Sequence, residues 1–382
     1  MNKLACLDHK YIWHPFTQMR DWLKHDPTLI VSGKGATLQD VNGKDYLDAN
    51  ASIWTNLHGH SHPKINKAIQ RQLGKISHSS ALGLANEPAS LLSEKLVKAA
   101  QFRGDSKLDK VFFSDDGSTA MEVALKLAYE FSRRRGLSKN PKFLSLDRAY
   151  HGDTIGAVSL GHINLFHKAY SGLLFRSDKL PAPYCYRCPF NKAKPERADA
   201  REYVHCKREC VGIAQKMFAA RKKRGESYAA FVFEPRIQGA AGMIAHPAGY
   251  LREVTDIARA HKALLIADEV MTGFGRTGLN SSVLQNNPPL FASHQESVQP
   301  DFLALAKGLT GGYLPMAATL TTQKVFDAFL GDYEEFKTFF HGHSYTGNQL
   351  GASAALASLQ ILQSTASIRA RRNLEAGLRS EL

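Results

Sequence analysis

Two short apolar runs, each followed by residues that can carry charge, constrain the fold of this chain most strongly. Residues 263–267 lead directly into Asp268 and Glu269, and residues 303–306 lead into Lys307. Continuous apolar runs of this length indicate strands buried on both faces, as in a parallel sheet. Open α/β sheets bind their ligands in the crevice at the carboxyl ends of their strands. We therefore expect Asp268 and Lys307 to face one crevice.

This pair of residues has two interpretations. In a purely structural arrangement, Asp268 caps its strand while Lys307 extends its amine to solvent. In a chemical arrangement, Lys307 forms a Schiff base with a cofactor and Asp268 pairs with a pyridinium nitrogen, as pyridoxal phosphate chemistry requires. The neighbouring motifs favour the second interpretation.

Strand and helix patterns alternate along most of the chain and predict an α/β fold with a mainly parallel sheet. A hairpin is expected over residues 31–48, turning at Asn42 and Gly43. Residues 173–209 are rich in proline, cysteine and charge, and we expect them to leave the sheet. The other predicted strands are 110–114, 142–146, 228–234, 263–268 and 300–306, and the predicted helices are 64–73, 87–100, 118–135 and 250–261.

Length and composition favour a globular protein of two lobes. The chain has 382 residues, which is more than one hydrophobic core usually serves. No apolar stretch reaches the roughly 18 residues of a membrane helix, and the first residues do not resemble a signal peptide, so we expect a cytosolic protein.

The formal net charge of +14 raises the question of nucleic acid binding. The densest basic clusters, residues 133–135 and 221–224, each follow an amphipathic helical pattern. Cations in the last turn of a helix complement its dipole. We therefore predict no primary role in nucleic acid binding, and no membrane partner.

Four of the five cysteines form two pairs, Cys185 with Cys188 and Cys206 with Cys210, separated by 17 residues. This spacing approximates a zinc ribbon, although the second pair has one residue more than the commonest knuckle, and His205 offers a further ligand. Four thiolates would close the coordination shell, so such a metal would be structural. The alternative is a surface insertion with free thiols in a reducing compartment, and we predict no catalytic metal.

A predicted strand passes through Gly117 into a helix whose next residue is Ser118. The amino end of a helix presents free amides and a positive dipole end, which suit a phosphate dianion. Gly117 would allow close approach of the backbone, and Ser118 would add a hydroxyl donor. The alternative is plain helix capping, with Glu122 completing a capping box.

Residues 273–278 match the dinucleotide-binding pattern G-x-G-x-x-G. That pattern requires a helix to open at the second glycine and an acidic residue to end a second strand about 20 positions later. No helical pattern follows, and Glu296 does not end a predicted strand. The sequence therefore argues against a nicotinamide-dependent dehydrogenase.

Two further strand ends carry polar or aromatic groups. Tyr150 follows the strand at 142–146, Glu234 ends the strand at 228–234, and Gln238 follows it. Polar and aromatic groups that converge at several strand ends are typical of a ligand crevice.

Several motifs in order resemble one family over essentially the whole chain. They are Trp13-His-Pro-Phe-Thr-Gln-Met19, residues 52–60, residues 340–348, and the segments that contain Asp268 and Lys307. The chain is similar to the class III aminotransferases, which are fold-type I pyridoxal phosphate enzymes. The motif at 13–19 resembles their 7,8-diaminopelargonate synthase subgroup, which acts in biotin synthesis.

The resemblance implies roles for individual residues. Lys307, Asp268 and Tyr150 would be catalytic, with Lys307 holding the cofactor covalently and carrying protons. His343 and Ser344 would reach the cofactor phosphate from the partner subunit of a homodimer. The expected cofactor-binding residues are Gly117, Ser118, Tyr150, Glu234, Gln238, Asp268, Lys307, His343 and Ser344, and the expected substrate-binding residues are Phe16, Trp54, Tyr150, Lys307 and Gly342.

The resemblance also implies an activity, the conversion of 8-amino-7-oxononanoate to 7,8-diaminononanoate, with S-adenosylmethionine or lysine as amino donor. The alternatives are another class III aminotransferase acting on ω-amino acids or diamines, and a noncatalytic remnant that binds the cofactor. The implied domains are a large one, 66–340, with a cysteine-rich insertion at 173–210, and a smaller α+β lobe built from 1–65 and 341–382.

Three features depart from the family pattern. Ile53 stands where some relatives have a second tryptophan, and residues 281–289 look like a lengthened loop. The chain is expected to stop inside the smaller lobe, before the arginine that would bind the substrate carboxylate.

Overall fold

The computed structural model of the protein describes residues 2–101, 108–190, 206–278 and 288–381. The strands are β1 Ile30–Lys34, β2 Thr37–Asp40, β3 Asp45–Leu47, β4 Leu108–Ser114, β5 Lys142–Leu146, β6 Asp178–Leu180, β7 Tyr228–Phe233, β8 Ile237–Gln238, β9 Ile244–Ala245, β10 Leu264–Asp268, β11 Phe302–Leu305 and β12 Ala317–Thr322. The helices are α1 Lys3–Tyr11, α2 Met19–Trp22, α3 Ala51–Trp54, α4 Pro63–Leu73, α5 Glu87–Ala99, α6 Gly117–Arg134, α7 Ile155–Leu160, α8 Asn164–His167, α9 Glu209–Lys223, α10 Tyr250–Ala260, α11 Ala292–Gln295, α12 Gln323–Asp327, α13 Gln349–Leu362 and α14 Thr365–Glu381.

A seven-stranded sheet organises the fold, with strand order β4-β12-β11-β10-β7-β5-β6. The pairs from β11 to β6 are parallel, whereas β12 runs antiparallel to both of its neighbours. Because β12 alone is reversed, β4 points the same way as the parallel strands. The carboxyl ends of β4, β5, β7, β10 and β11 therefore lie at one edge. The predicted α/β fold with a mainly parallel sheet is confirmed.

Both faces of the sheet are covered by helices. Alternate residues of β7 belong to two separate core clusters: Phe231 and Phe233 to one, Ala230 and Val232 to the other. The first cluster includes side chains of α5, α9, α10 and α13, and the second includes side chains of α6, α7 and α12. Every residue of β7 is buried, which explains why its sequence is continuously apolar.

Two strands depart from the sequence predictions. β6 pairs in parallel with β5, so the prediction that the chain leaves the sheet from residue 173 is wrong for residues 178–180. β12 was missed altogether. Its Ala317-Ala-Thr-Leu-Thr-Thr322 sequence is short and rich in threonine, and tertiary pairing on both sides defines it as a strand.

The predicted hairpin near the amino terminus is present as β2 and β3, and β1 extends it to a separate three-stranded antiparallel sheet. Asp40 organises its turn. One carboxylate oxygen accepts hydrogen bonds from the amides of Asn42 and Lys44, at 2.8 and 3.0 Å, and the other accepts one from the Tyr46 hydroxyl at 2.9 Å.

The suggested capping role of Glu122 in its own helix is wrong. Asp116 and Thr119 form the capping box of α6, because each side chain binds the backbone amide of the other. Glu122 instead receives hydrogen bonds from the Thr154 hydroxyl at 2.6 Å and from the Gly156 amide at 2.7 Å. Its carboxylate thus satisfies the amino end of α7.

Among the described residues, no helix combines the length and the apolar character that a membrane crossing requires.

We predict that Glu122→Ala lowers the free energy of unfolding by about 2 kcal/mol, because it leaves the amino end of α7 without its acceptor. Glu130→Ala is the matched control on the same helix, since Glu130 makes partly exposed pairs with Arg133 and Arg134 that contribute under about 1 kcal/mol. Urea unfolding followed by circular dichroism measures both changes. An equal loss in the two variants would contradict this role of Glu122.

Candidate active site

The carboxyl edge of the large sheet borders a cavity of about 430 Å³. Both residues of the predicted pair line it, and so do predicted residues from four other places in the chain. The predicted site residues in its wall are Trp54, Gly117, Ser118, Tyr150, Glu234, Asp268 and Lys307.

Asp268 ends β10, where it is 5% exposed, and it does not stand alone. Its Oδ2 lies 2.7 Å from Nδ1 of His151, and its Oδ1 accepts the Val270 amide at 3.0 Å. Burial disfavours the charged form of His151, but the hydrogen bond and charge of Asp268 outweigh burial and raise the pKa of His151. The result is a buried acid–histidine pair in the cavity wall.

His151 is a site residue that the sequence analysis missed. The imidazole is buried, and Nε2 has no hydrogen-bond partner in the described part of the chain. The signal was available, because His151 follows Tyr150 in the same loop after β5. Only the longer aromatic side chain was assigned a role.

Lys307 lies two residues after β11 and is partly buried. Burial lowers the pKa of its amine, while the carboxylates of Asp268 and Glu234 act against that fall. The amine lies 5.0 Å from the ring centroid of Trp54, within cation–π range. An amine with a lowered pKa is available as a nucleophile and as a proton carrier.

Glu234 follows β7 and joins two loops of the cavity. Its Oε1 accepts the Tyr150 amide at 3.2 Å, and its Oε2 accepts the Gly239 amide at 2.8 Å. Burial is the largest influence on this carboxyl and raises its pKa to about 7, and the nearby charge of Asp268 adds to the rise.

The amino end of α6 forms the opposite wall of the cavity. A Cβ added to Gly117 would stand 2.7 Å from a methyl group of Val270, so only glycine fits there. The Ser118 hydroxyl accepts the Asp153 amide at 3.0 Å, and the Tyr150 hydroxyl donates to Asp153 at 2.7 Å. Burial and Asp153 raise the pKa of Tyr150, so its hydroxyl stays protonated at neutral pH.

Two predicted residues, Gln238 and Phe16, lie outside the cavity lining. Gln238 is buried and donates to the carbonyl oxygen of Asp147 at 2.9 Å. Phe16 is 71% exposed and packs edge-on against Phe166, which in turn packs against Tyr150.

Gly342, His343 and Ser344 also lie outside the cavity lining of their own chain. Nδ1 of His343 lies 3.2 Å from Oδ2 of Asp115, a residue of the cavity wall. The Ser344 carbonyl accepts a hydrogen bond from His78 at 2.7 Å. The loop that carries these three residues is therefore fixed beside the cavity rather than within it.

The four clustered cysteines are free thiols. Burial raises the pKa of Cys185 and of Cys210 to about 11, and the charges of the neighbouring thiols add to both rises. Within the described ranges, no three His, Cys, Asp or Glu side chains are grouped so as to hold a metal ion. His205 lies outside those ranges, as do residues 191–204 of the predicted insertion and most of the predicted loop at 281–289.

The G-x-G-x-x-G segment forms turns rather than a helix, which agrees with the argument against a dinucleotide site. The arginine of this segment, Arg276, makes a contact with the cavity wall. Arg276 donates to the carbonyl oxygen of Trp54 at 2.8 Å and so connects this segment to the cavity.

Three groups around the cavity fit pyridoxal phosphate. The buried amine of Lys307 suits its aldehyde, and the acid–histidine pair suits a protonated ring nitrogen. The amino end of α6, where Gly117 keeps the backbone clear of side-chain bulk, suits its phosphate dianion.

Comparison with known proteins supports this interpretation. The sequence model of the class III aminotransferases matches residues 20–382. The adenosylmethionine-8-amino-7-oxononanoate aminotransferase of Geobacter sulfurreducens is 47% identical, over 94% of this chain and 73% of that protein. Its counterpart in Anoxybacillus flavithermus is 48% identical, over 95% and 74%.

Solved structures give the same result. The Methanocaldococcus jannaschii adenosylmethionine-8-amino-7-oxononanoate aminotransferase superposes with a TM-score of 0.82 at 40% identity, covering 96% of this chain and 76% of that one. An amine transaminase from an uncultivated Pseudomonas species, solved with bound pyridoxal phosphate, gives a TM-score of 0.79 at 32% identity, covering 92% and 74%. The chain belongs to the class III aminotransferase family.

Proposed function

We propose that this protein is a pyridoxal phosphate-dependent transaminase that converts 8-amino-7-oxononanoate to 7,8-diaminononanoate, a step of biotin synthesis, with S-adenosylmethionine or lysine as amino donor. The observation that carries the proposal is the meeting of Lys307, the Asp268–His151 pair and the amino end of α6 around one cavity. The names of relatives at 47% and 48% identity supply the substrate.

When bound, pyridoxal phosphate supplies an electron sink that stabilises negative charge on the carbon beside the transferred nitrogen. The Lys307 amine would hold the cofactor covalently and, when free, would move a proton to and from that carbon. Burial assists this role, because an amine with a lowered pKa gives up and accepts protons more readily near neutral pH.

Asp268 would pair with the ring nitrogen of the cofactor, and His151 keeps the Asp268 carboxylate oriented through its 2.7 Å hydrogen bond. Glu234 joins the Tyr150 loop and the Gly239 turn, which both line the same cavity. Gln238 donates a hydrogen bond to the carbonyl oxygen of Asp147 and so holds the backbone that follows β5.

Substrate recognition and assembly are part of the same proposal. Trp54, Tyr150 and Phe16 would offer an apolar surface to the carbon chain of the amino-oxo acid. Gly342, His343 and Ser344 would serve the cavity of a second copy in a cytoplasmic homodimer, with His343 and Ser344 at the phosphate.

The two-lobe division also remains a proposal. It consists of a large domain over 66–340 and a smaller lobe from 1–65 and 341–382.

A second candidate is an ω-transaminase acting on other amines. Structures of such enzymes also superpose on this chain, for example that of Thermomicrobium roseum with a TM-score of 0.80 at 30% identity. A half-reaction assay separates the candidates. The holoenzyme is mixed with S-adenosylmethionine, with lysine or with a simple aryl amine, and the conversion of bound cofactor to pyridoxamine phosphate is followed by absorbance. Conversion by the aryl amine alone would favour the second candidate.

We predict that Lys307→Ala abolishes the absorbance band that arises from covalent attachment of the cofactor and lowers turnover by at least about 100-fold, because the covalent attachment and the proton carrier are both lost. Lys179→Ala is the control, since Lys179 is exposed and pairs with Asp147 at the surface. Retained turnover in Lys307→Ala, with a folded protein by circular dichroism, would contradict the assignment.

We predict that Gly117→Ala weakens the binding of pyridoxal phosphate by about tenfold, because its methyl group would meet Val270 and push the amino end of α6 away from the phosphate. Gly172→Ala is the control, because a Cβ at Gly172 meets open space. Titration of the apoprotein with cofactor, followed by absorbance, gives both dissociation constants. Equal affinities would place the phosphate elsewhere.

A further inference from the structure

The backbone of α3 is left-handed, although none of its four residues is glycine. Ala51, Ser52, Ile53 and Trp54 have φ angles of 52°, 49°, 57° and 66°. In this region the Cβ of an L-residue comes too close to the following carbonyl oxygen, and a β-branched residue such as Ile53 is least tolerated. Such strain persists only where surrounding contacts enforce it, and it concentrates at functional sites.

Asp48 holds this turn through Ser52, and Asn50 also contributes, because its Oδ1 accepts the Ile53 amide at 3.3 Å. Oδ1 of Asp48 accepts the Ser52 amide at 2.9 Å, and Oδ2 of Asp48 accepts the Ser52 hydroxyl at 2.7 Å. Nε2 of His60 lies 2.9 Å from the same Oδ2 and fixes the carboxylate from the other side. The Asp48 side chain is only 6% exposed, so water competes little for these bonds.

This turn determines the position of Trp54. The turn places the indole in the cavity wall, with its ring centroid 5.0 Å from the Lys307 amine. The hydrogen bond from Arg276 to the Trp54 carbonyl holds the far end of the turn. A right-handed turn at these residues would send the indole elsewhere.

We propose that the Trp54 ring binds the Lys307 amine through a cation–π contact whenever that amine is free of the cofactor. Asp48 is then a positioning residue that holds the ring in place through Ser52. The proposal rests on the proposed function, because this amine is released and recaptured only if it holds pyridoxal phosphate during turnover. It assigns a task to Asp48, which touches neither Lys307 nor the cavity lining.

The contact between the Trp54 ring and the Lys307 amine is electrostatic. The face of an indole attracts an ammonium group, so Trp54 favours the protonated amine. Asp268 and Glu234 act in the same direction, whereas burial and Arg276 act against it. Removing the indole face while leaving those groups in place should lower the pKa of Lys307.

The test reads the protonation of Lys307 directly in the apoprotein. The protein is treated with acetic anhydride over a range of pH, and modification of the peptide containing Lys307 is quantified by mass spectrometry. We expect Trp54→Leu to lower the pH midpoint by about half to one pH unit, and Trp54→Phe to lower it less. Asp48→Ala should shift the midpoint in the same direction. Asp45→Ala, which removes an exposed carboxylate of β3, should not.

An unchanged pH midpoint in Asp48→Ala would overturn the positioning role of Asp48. An unchanged pH midpoint in Trp54→Leu would overturn the binding of the Lys307 amine by the Trp54 ring. Should Asp48→Ala fail to fold, Ser52→Ala removes only the hydroxyl contact and tests the same link. Ile53→Gly should raise the thermal midpoint, because glycine accepts the left-handed conformation. Failure of the proposed function would appear separately, as wild-type protein that takes up no pyridoxal phosphate.

Discussion

The parallel pairing of β10 with β11 is the constraint on which the rest of the site depends. Asp268 aligns with Ala304, so the residues that follow the two strands emerge at one edge of the sheet. This register brings a carboxylate and an amine together in a place with little water. Buried charges need partners, and the fold supplies His151 and Val270 to Asp268. The order and register of the strands therefore determine where the site residues lie.

Much of the sheet could be predicted because its strands are buried on both faces. β7, β10 and β11 are continuous apolar runs, so their positions and their carboxyl ends could be assigned from sequence, and with them Glu234, Asp268 and Lys307. β6 and β12 could not, since three residues at an edge and a threonine-rich strand carry no clear pattern. Their identity as strands comes from pairing with distant segments.

The site shows the same division between local and distant information. Gly117 and Tyr150 could be predicted because they lie in the short segments that follow β4 and β5. The partnership of His151 with Asp268 joins residues 117 positions apart and has no local signal. The left-handed turn before Thr55 is also invisible in sequence, because the usual marker, glycine, is absent and the conformation is held by side-chain contacts. Sequence therefore locates the reactive groups, whereas tertiary contacts determine how they are oriented.

The central claim is that the amine of Lys307 captures pyridoxal phosphate in the cavity. Borohydride reduction of the holoenzyme would make that link permanent, and digestion followed by mass spectrometry would locate it. The account predicts one phosphopyridoxyl group per chain, on Lys307. A label on another lysine, or no label on a protein that has bound the cofactor, would contradict it.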